Sequence, residues 1–244
     1  MPPWSGVAWS GWPEPRGSRR ALAILTPPAG SPEELFRKYL PELGLDADAR
    51  LVDALAAYLR LLDKWNQAFN LTSIRDPGEL VVRHVLDSLS ARPFLQGERV
   101  LDVGCGAGLP GIPLALAEPG RSYTLLDSGG KKVRFVRQVI AELKIRNASA
   151  VQMRVEDYAP MQLFDTVTSR AFAALPDFIR DAGRLVAPGG RLLAMKGRLP
   201  ADELAALPEG WVAEAVTPVR VPALDAERHM IVVSRCADAS GSSS

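Results

Sequence analysis

From Leu51 to Phe69, large apolar side chains recur three and four residues apart, at Leu51, Leu55, Tyr58, Leu59, Leu62, Trp65 and Phe69. That spacing lines one face of a helix predicted from about Asp48 to Phe69, with those side chains packed as core. A shorter helix is predicted just before it. Ser31-Pro32-Glu33-Glu34 offers an N-cap, a first-turn proline and an acid able to bond back to the cap amide. The same signals return at Asp76-Pro77-Gly78-Glu79, ahead of the inward-facing Val81, Val82, Val85, Leu86 and Leu89. Residues 31–92 are therefore expected to form a small helical subdomain.

After Arg99 the pattern changes to short apolar runs, Val100 to Val103, Tyr123 to Leu126, Ala148 to Met153, Phe164 to Ser169 and Leu192 to Met195. Amphipathic stretches near 111–118, 130–143 and 176–186 separate them. Such alternation predicts βαβ units and a parallel sheet covered on both faces, over residues 93–236. Trp211 to Val221 and His229 to Ser234 leave no room for a crossover helix, so they should pair as an antiparallel hairpin at the sheet edge. Residues 1–30, with three tryptophans, six prolines and four glycines, show neither period and are expected to be a disordered extension. Residues 237–244, ADASGSSS, read as a flexible tail.

Composition narrows the function classes only a little. The 244 residues are 47% hydrophobic and 23% charged, typical of a soluble globular chain, and 29 basic against 28 acidic residues give a net charge of +1. A nucleic-acid partner would have to be met by a local patch. Cys105, Cys236, His84 and His229 are too few and scattered for a disulfide framework or a zinc site. No metal and a cytoplasmic location are expected. The apolar run Ala21 to Leu25 after Arg19-Arg20 is too short for a signal-peptide core or a membrane span.

The chemistry concentrates in Asp102-Val103-Gly104-Cys105-Gly106-Ala107-Gly108-Leu109-Pro110-Gly111, where a predicted strand passes into a helix. An acid, Asp127, follows the next strand about 20 residues beyond Gly108, a spacing that sets a carboxylate on ribose hydroxyls. Together they describe a site for a nucleoside-containing cofactor. Gly106, Gly108 and Gly111 also satisfy the dinucleotide pattern, so a nicotinamide dehydrogenase is a rival reading. Asp102 discriminates, because a carboxylate just before the loop would repel a pyrophosphate but attract the ammonium and sulfonium of S-adenosylmethionine.

The acid-x-Gly-x-Gly-x-Gly turn, the second acid and the terminal hairpin resemble the class I methyltransferase fold. That fold implies an α/β, Rossmann-like, mostly parallel seven-stranded sheet with an antiparallel last strand, here behind an N-terminal helical subdomain. From about residue 50 to 235 the chain resembles, more specifically, the RsmG (GidB) family of bacterial 16S rRNA guanine-N7 methyltransferases. The matching stretches are Trp65-Asn66, Asn70-Leu71-Thr72, His84 to Leu89, Asp102 to Pro113, Leu126 to Phe135, Ser169-Arg170-Ala171, Met195-Lys196-Gly197 and Glu227-Arg228-His229. The resemblance implies that Gly104 and Leu109 line the cofactor loop with Asp102 and Gly106, and that Asp127 holds the ribose. It sets Val155 and Glu156 beside the adenine and has Arg170 close the site. The blander alternatives are a solvated turn at Glu156-Asp157 and a structural ion pair for Arg170. His84 and Asp87 are spaced to share a helix face, where a buried structural hydrogen bond is weighed at least equally with a functional one, and neither is read as catalytic.

Guanine N7 carries an in-plane lone pair, so its methylation requires no general base and no catalytic side chain is expected. Cys105 reads as a small packed residue. Candidate RNA contacts are Lys131, Lys132, Arg134 and Arg137 on the helix after Asp127, with Arg75, Lys196 and Arg198 near the same rim. Phe172 is a candidate to stack on the extruded base. The expected partner is 16S rRNA or the small ribosomal subunit, bound by a monomer without a protein partner or membrane. A non-catalytic RNA-binding assembly factor is the third reading.

Overall fold

The computed structural model describes residues 28–170, 172 and 174–236. The expected tail over 237–244 and all but the last three residues of the expected N-terminal extension lie outside that range. Helix α1 (Pro32–Tyr39) starts at the predicted capping box, with Glu34 N–H bonded to Ser31 Oγ at 3.2 Å and Ser31 N–H to Glu34 Oε2 at 2.8 Å. Helix α2 (Ala49–Phe69) is capped by Asp48 and ends at Asn70 in the left-handed region, φ 49°. Helix α3 (Pro77–Leu80) widens into a π-helical stretch, Val81–Leu86, and closes as the short α4 (Asp87–Leu89).

Seven strands follow: β1 (Arg99–Val103), β2 (Ser122–Asp127), β3 (Ala148–Gln152), β4 (Phe164–Ser169), β5 (Val186–Lys196), β6 (Trp211–Pro218) and β7 (His229–Arg235). Their order is β3-β2-β1-β4-β5-β7-β6. The first five run parallel, and β7 pairs antiparallel with both β5 and β6, as the hairpin pattern required. Helices α5 (Gly111–Ala117), α6 (Gly130–Glu142) and α7 (Leu175–Ala182) connect the parallel strands.

Three details differ from the sequence reading. The helix expected over 176–186 stops at Ala182, and a single 3-10 turn, Gly183–Leu185, leads directly into β5. Gly183 is where Trp211 packs; a Cβ there would lie 2.7 Å from the indole. Strand β5 accordingly begins at Val186, through Pro188, Gly189 and Gly190, a sequence that reads as a turn, and its register against β4 shifts there. The short α8 (Ala201–Ala205) was not anticipated.

Alternation along the strands sends side chains to two cores. One contains Leu101, Val103, Val167, Ile231 and Val233 with Phe178 and Ile179 of α7. The other joins Val100, Tyr123, Leu125 and Val232 to α5 and α6 and continues without a break into Phe36, Leu55, Tyr58, Leu62 and Val85 of the N-terminal helices. The helices of residues 31–92 therefore complete a layer of the sheet fold and have no separate core.

Candidate cofactor cleft

Strand order reverses between β1 and β4, so their carboxyl ends leave a crevice of the kind that binds ligands in open α/β sheets. The loop leaving β1 carries left-handed glycines at 104, 106 and 108, with φ of 69°, 58° and 88°. The Leu126 carbonyl accepts from Gly104 and Cys105 N–H at 2.8 and 3.1 Å. Asp127, at the end of β2, accepts from Gly106 N–H through Oδ2 at 2.9 Å and from Gly129 N–H through Oδ1 at 2.7 Å. Asp127 thus ties the glycine loop to the turn that opens α6.

A cleft of about 300 Å³ opens at this point. Of the residues proposed from sequence for the cofactor, Gly104, Asp127, Val155 and Glu156 line it. Lys132 and Phe172, proposed as RNA contacts, line it too. Lys132 Nζ stands 3.7 Å from Asp127, and the Phe172 ring packs 4.9 Å from that of Phe178. Sequence reasoning missed Val103, Leu126, Ser128, Met153 and Arg154 in the lining, and also Arg184 behind it. The Arg184 guanidinium donates to the carbonyls of Val155 and Glu156 at 2.7 and 2.8 Å and so fixes that wall. Nothing in the spacing of Arg184 announces a partner nearly thirty residues away, whereas Met153 and Arg154 directly follow β3 and were within reach.

The other predicted cofactor residues lie behind the lining. Leu109 is buried in the core. Asp102 is fully buried, and its Oδ2 accepts from Gly111 N–H at 2.8 Å while Oδ1 has no partner among the described residues. Burial pushes its carboxyl up to about 7 despite that hydrogen bond. It therefore acts on the loop and the start of α5 and makes no lining contact of its own. Arg170 does not line the cleft either: it pairs with Asp87 at 3.5 Å and donates to the Arg83 carbonyl at 3.1 Å. Arg228 holds the other oxygen of Asp87 at 2.7 Å. His84 bonds through Nε2 to Thr72 Oγ1 at 2.8 Å, and burial lowers its pKa to about 4, with the nearby Arg170 charge adding to the effect. His84 and Asp87 are thus both buried and hold structural bonds, to Thr72 and to Arg170 and Arg228.

Among the rim cations, Lys131 lies over the Phe69 ring at 5.9 Å, and Arg137 Nε donates to the Ala150 carbonyl at 3.3 Å. Arg75 bonds to Asn70 at 3.0 Å. Arg134 and Arg198 are exposed. Lys196 is drawn inward: its side chain is 12% exposed and meets Glu203 of α8 at 2.9 Å. Glu203 of the unanticipated α8 and the Phe172 carbonyl, at 3.4 Å, both hold Lys196 away from the surface. Among the described residues, no group of three or more His, Cys, Asp or Glu could hold a metal ion, and no helix is long and apolar enough to cross a membrane.

The donors at the start of α5 discriminate between cofactors. Pro110 and Pro113 have no N–H, Gly111 N–H is held by Asp102, and Ile112 N–H is held by the Gly108 carbonyl at 2.7 Å. A dinucleotide pyrophosphate relies on free N–H groups at this position, and none is left. The cleft itself sets two carboxylates, Asp127 and Glu156, beside the cations Lys132 and Arg154, between apolar walls from Val103, Leu126, Val155 and Phe172, and Lys132 is turned toward Asp127 at 3.7 Å. That donor and acceptor set fits a phosphate-free nucleoside.

The sequence model of GidB, described as rRNA small subunit methyltransferase G, matches residues 51–232. The chain belongs to this family. A member named ribosomal RNA small subunit methyltransferase G from Alkalilimnicola ehrlichii is 56% identical over 189 residues, 78% of this chain and 86% of that protein. The Salmonella arizonae protein of the same name is 50% identical over 80% of this chain and 95% of its own length. Among solved structures, the glycopeptide N-methyltransferase MtfA bound to S-adenosyl-L-homocysteine superposes with a TM-score of 0.54 at 13% identity, over 63% of this chain and 87% of that one. This GidB family member thus has the class I methyltransferase fold.

Proposed function

We propose that this GidB family member transfers the methyl group of S-adenosylmethionine to N7 of a guanine in 16S rRNA of the small ribosomal subunit. The observation that carries the reading is the cleft itself: Asp127 braced by two loop amides, beside an α5 N-terminus with no N–H left for a phosphate. The cofactor, when bound, supplies a methyl group on a positively charged sulfur. Asp127 would hold the ribose, the wall of Met153 to Glu156 the adenine, and the Gly104 backbone the amino-acid end.

The chain's task is then alignment. Guanine N7 brings its own in-plane lone pair, so no residue of the chain would need to take a proton, and the residues of the cleft would act by holding N7 in line with the methyl group and the sulfur behind it. Positioning of this kind can lower a barrier by about 7 to 11 kcal/mol in favourable cases. Phe172 lines the cleft wall just past β4, which supports a role in stacking on an extruded base. Arg170 would act from behind the lining. Lys131, Arg134 and Arg198 would meet RNA phosphates, while Lys132, beside Asp127, serves the cofactor. The helical residues 31–92 and the sheet domain over 93–236 would act together, as a cytoplasmic monomer.

The test is transfer of labelled methyl from S-adenosylmethionine to small ribosomal subunits, and separately to their naked RNA, from cells lacking the protein. Label in 7-methylguanosine is the expected result, and the better acceptor fixes the assembly stage. Cofactor binding without label on either acceptor would overturn the substrate while leaving the fold.

A further inference from the structure

Tyr58 sits in the middle of α2, fully buried, and its hydroxyl donates to the carbonyl of Ala107 in the glycine loop at 2.9 Å. The N–H of the same peptide group, that of Gly108, donates to the Cys105 carbonyl at 2.8 Å. Both polar ends of the Ala107–Gly108 peptide are therefore held, one from within the loop and one from a helix 49 residues away in the chain. This peptide needs holding. Turning it over changes only ψ of Ala107 and φ of Gly108, and Gly108, at φ 88°, accepts either sign. A turned peptide would point a buried carbonyl at the loop interior and disturb Gly106, two residues back, whose N–H meets Asp127.

Aromatic packing extends the brace. The Tyr58 ring lies 6.3 Å from Phe135 of α6, and Trp65, two turns further along α2, lies 5.6 Å from the same ring. One helix thus backs both segments joined by Asp127, the glycine loop and the start of α6. We propose that Tyr58 is a positioning residue for the cofactor loop: its hydroxyl selects one orientation of the Ala107–Gly108 peptide, making α2 a working part of the cleft. The inference rests on the cofactor reading above.

Tyr58→Phe in the full chain removes one oxygen and keeps the ring. The expected result is a rise of about three- to tenfold in both the Kd for S-adenosylhomocysteine and the KM for S-adenosylmethionine, the equivalent of one neutral hydrogen bond, with KM for small subunits unchanged. Val52→Ala, fully buried on the same helix, supplies a destabilised variant that keeps the Tyr58 hydroxyl and is expected to bind S-adenosylhomocysteine as the parent does. Unchanged affinity in Tyr58→Phe, or an equal loss in Val52→Ala, would overturn the positioning role. A parent protein that fails to bind S-adenosylhomocysteine would instead overturn the cofactor reading and this inference with it.

Discussion

At the floor of the cleft Asp127, itself 7% exposed, accepts from two backbone amides, and behind it, fully buried, Asp102 accepts a third and Tyr58 donates to the loop carbonyl. At the rim, Arg134 and Arg198 project into solvent and Lys131 rests on a ring that is itself 37% exposed. Buried hydrogen bonds are costly to break because the abandoned partner stays dry. Exposed charges are screened and replaceable. The floor should therefore respond sharply to single atoms, and the rim only by degrees.

The largest effect is expected at Asp127. Asn keeps one acceptor oxygen and turns the other into an NH₂ that faces an N–H of Gly106 or Gly129. Hydrogen bonds to a charged acceptor contribute about 1.5 to 3 kcal/mol each, so Asp127→Asn should weaken S-adenosylhomocysteine binding on the order of 100-fold by titration calorimetry. A loss below tenfold would mean that the loop holds its shape without this carboxylate.

Asp102 gives the next largest effect, with a pH signature. Its folded pKa, about 7, lies above its ordinary value of 3.8. Between those values the folded chain binds more protons than the unfolded one, so stability from this group is fully present below about 4 and is lost as pH rises through 7. The slope can reach about 1.4 kcal/mol per pH unit. Asp102→Asn can still accept from Gly111, and urea denaturation should show the parent losing stability relative to it between pH 4 and 7. His84 carries the opposite sign. Its folded pKa of about 4 lies below the ordinary 6.5, so its contribution is present above 6.5 and lost as pH falls toward 4. Differences between parent and Asp102→Asn isolate the aspartate, because His84 is common to both. Parallel curves would place the charged form of Asp102 in the fold throughout.

The floor and the rim were also unequally legible in sequence. Caps, helical faces and strand alternation depend on neighbours a few residues apart, which is why α1, α2 and the β6–β7 hairpin were foreseen. The glycine turn and Asp127 were visible because close backbone approach requires glycine at fixed spacing. What remained hidden depends on contacts between distant segments. Arg184 behind the Val155–Glu156 wall, Tyr58 under the loop and Glu203 against Lys196 are each ordinary residues in their own segments. Arg170 shows the same limit, since its position after β4 suggested a cleft residue and only Asp87, from α4, reveals where the guanidinium goes. The start of β5 was hidden because proline and glycine mark a turn unless a neighbouring strand already supplies the pairing.

The smallest effects belong to the rim, and there the measurement must resolve a gradient. Arg134→Ala and Arg198→Ala each remove one exposed charge, and neither residue lines the cleft. Each should weaken RNA binding by a few fold and lower the slope of log affinity against log salt by about 0.7 to 1, one released counterion apiece. Cofactor affinity should stay at the parent value in both. Lys132 tests where floor passes into rim: one residue from Lys131 on the same helix, it alone of the pair reaches the Asp127 carboxylate. Lys132→Met should therefore reverse the pattern, weakening S-adenosylhomocysteine binding by a few fold with little change in the salt slope. If Lys132→Met lowered the salt slope as Arg134→Ala does and left cofactor affinity intact, the floor would end at Asp127 and the whole of this α6 face would belong to RNA.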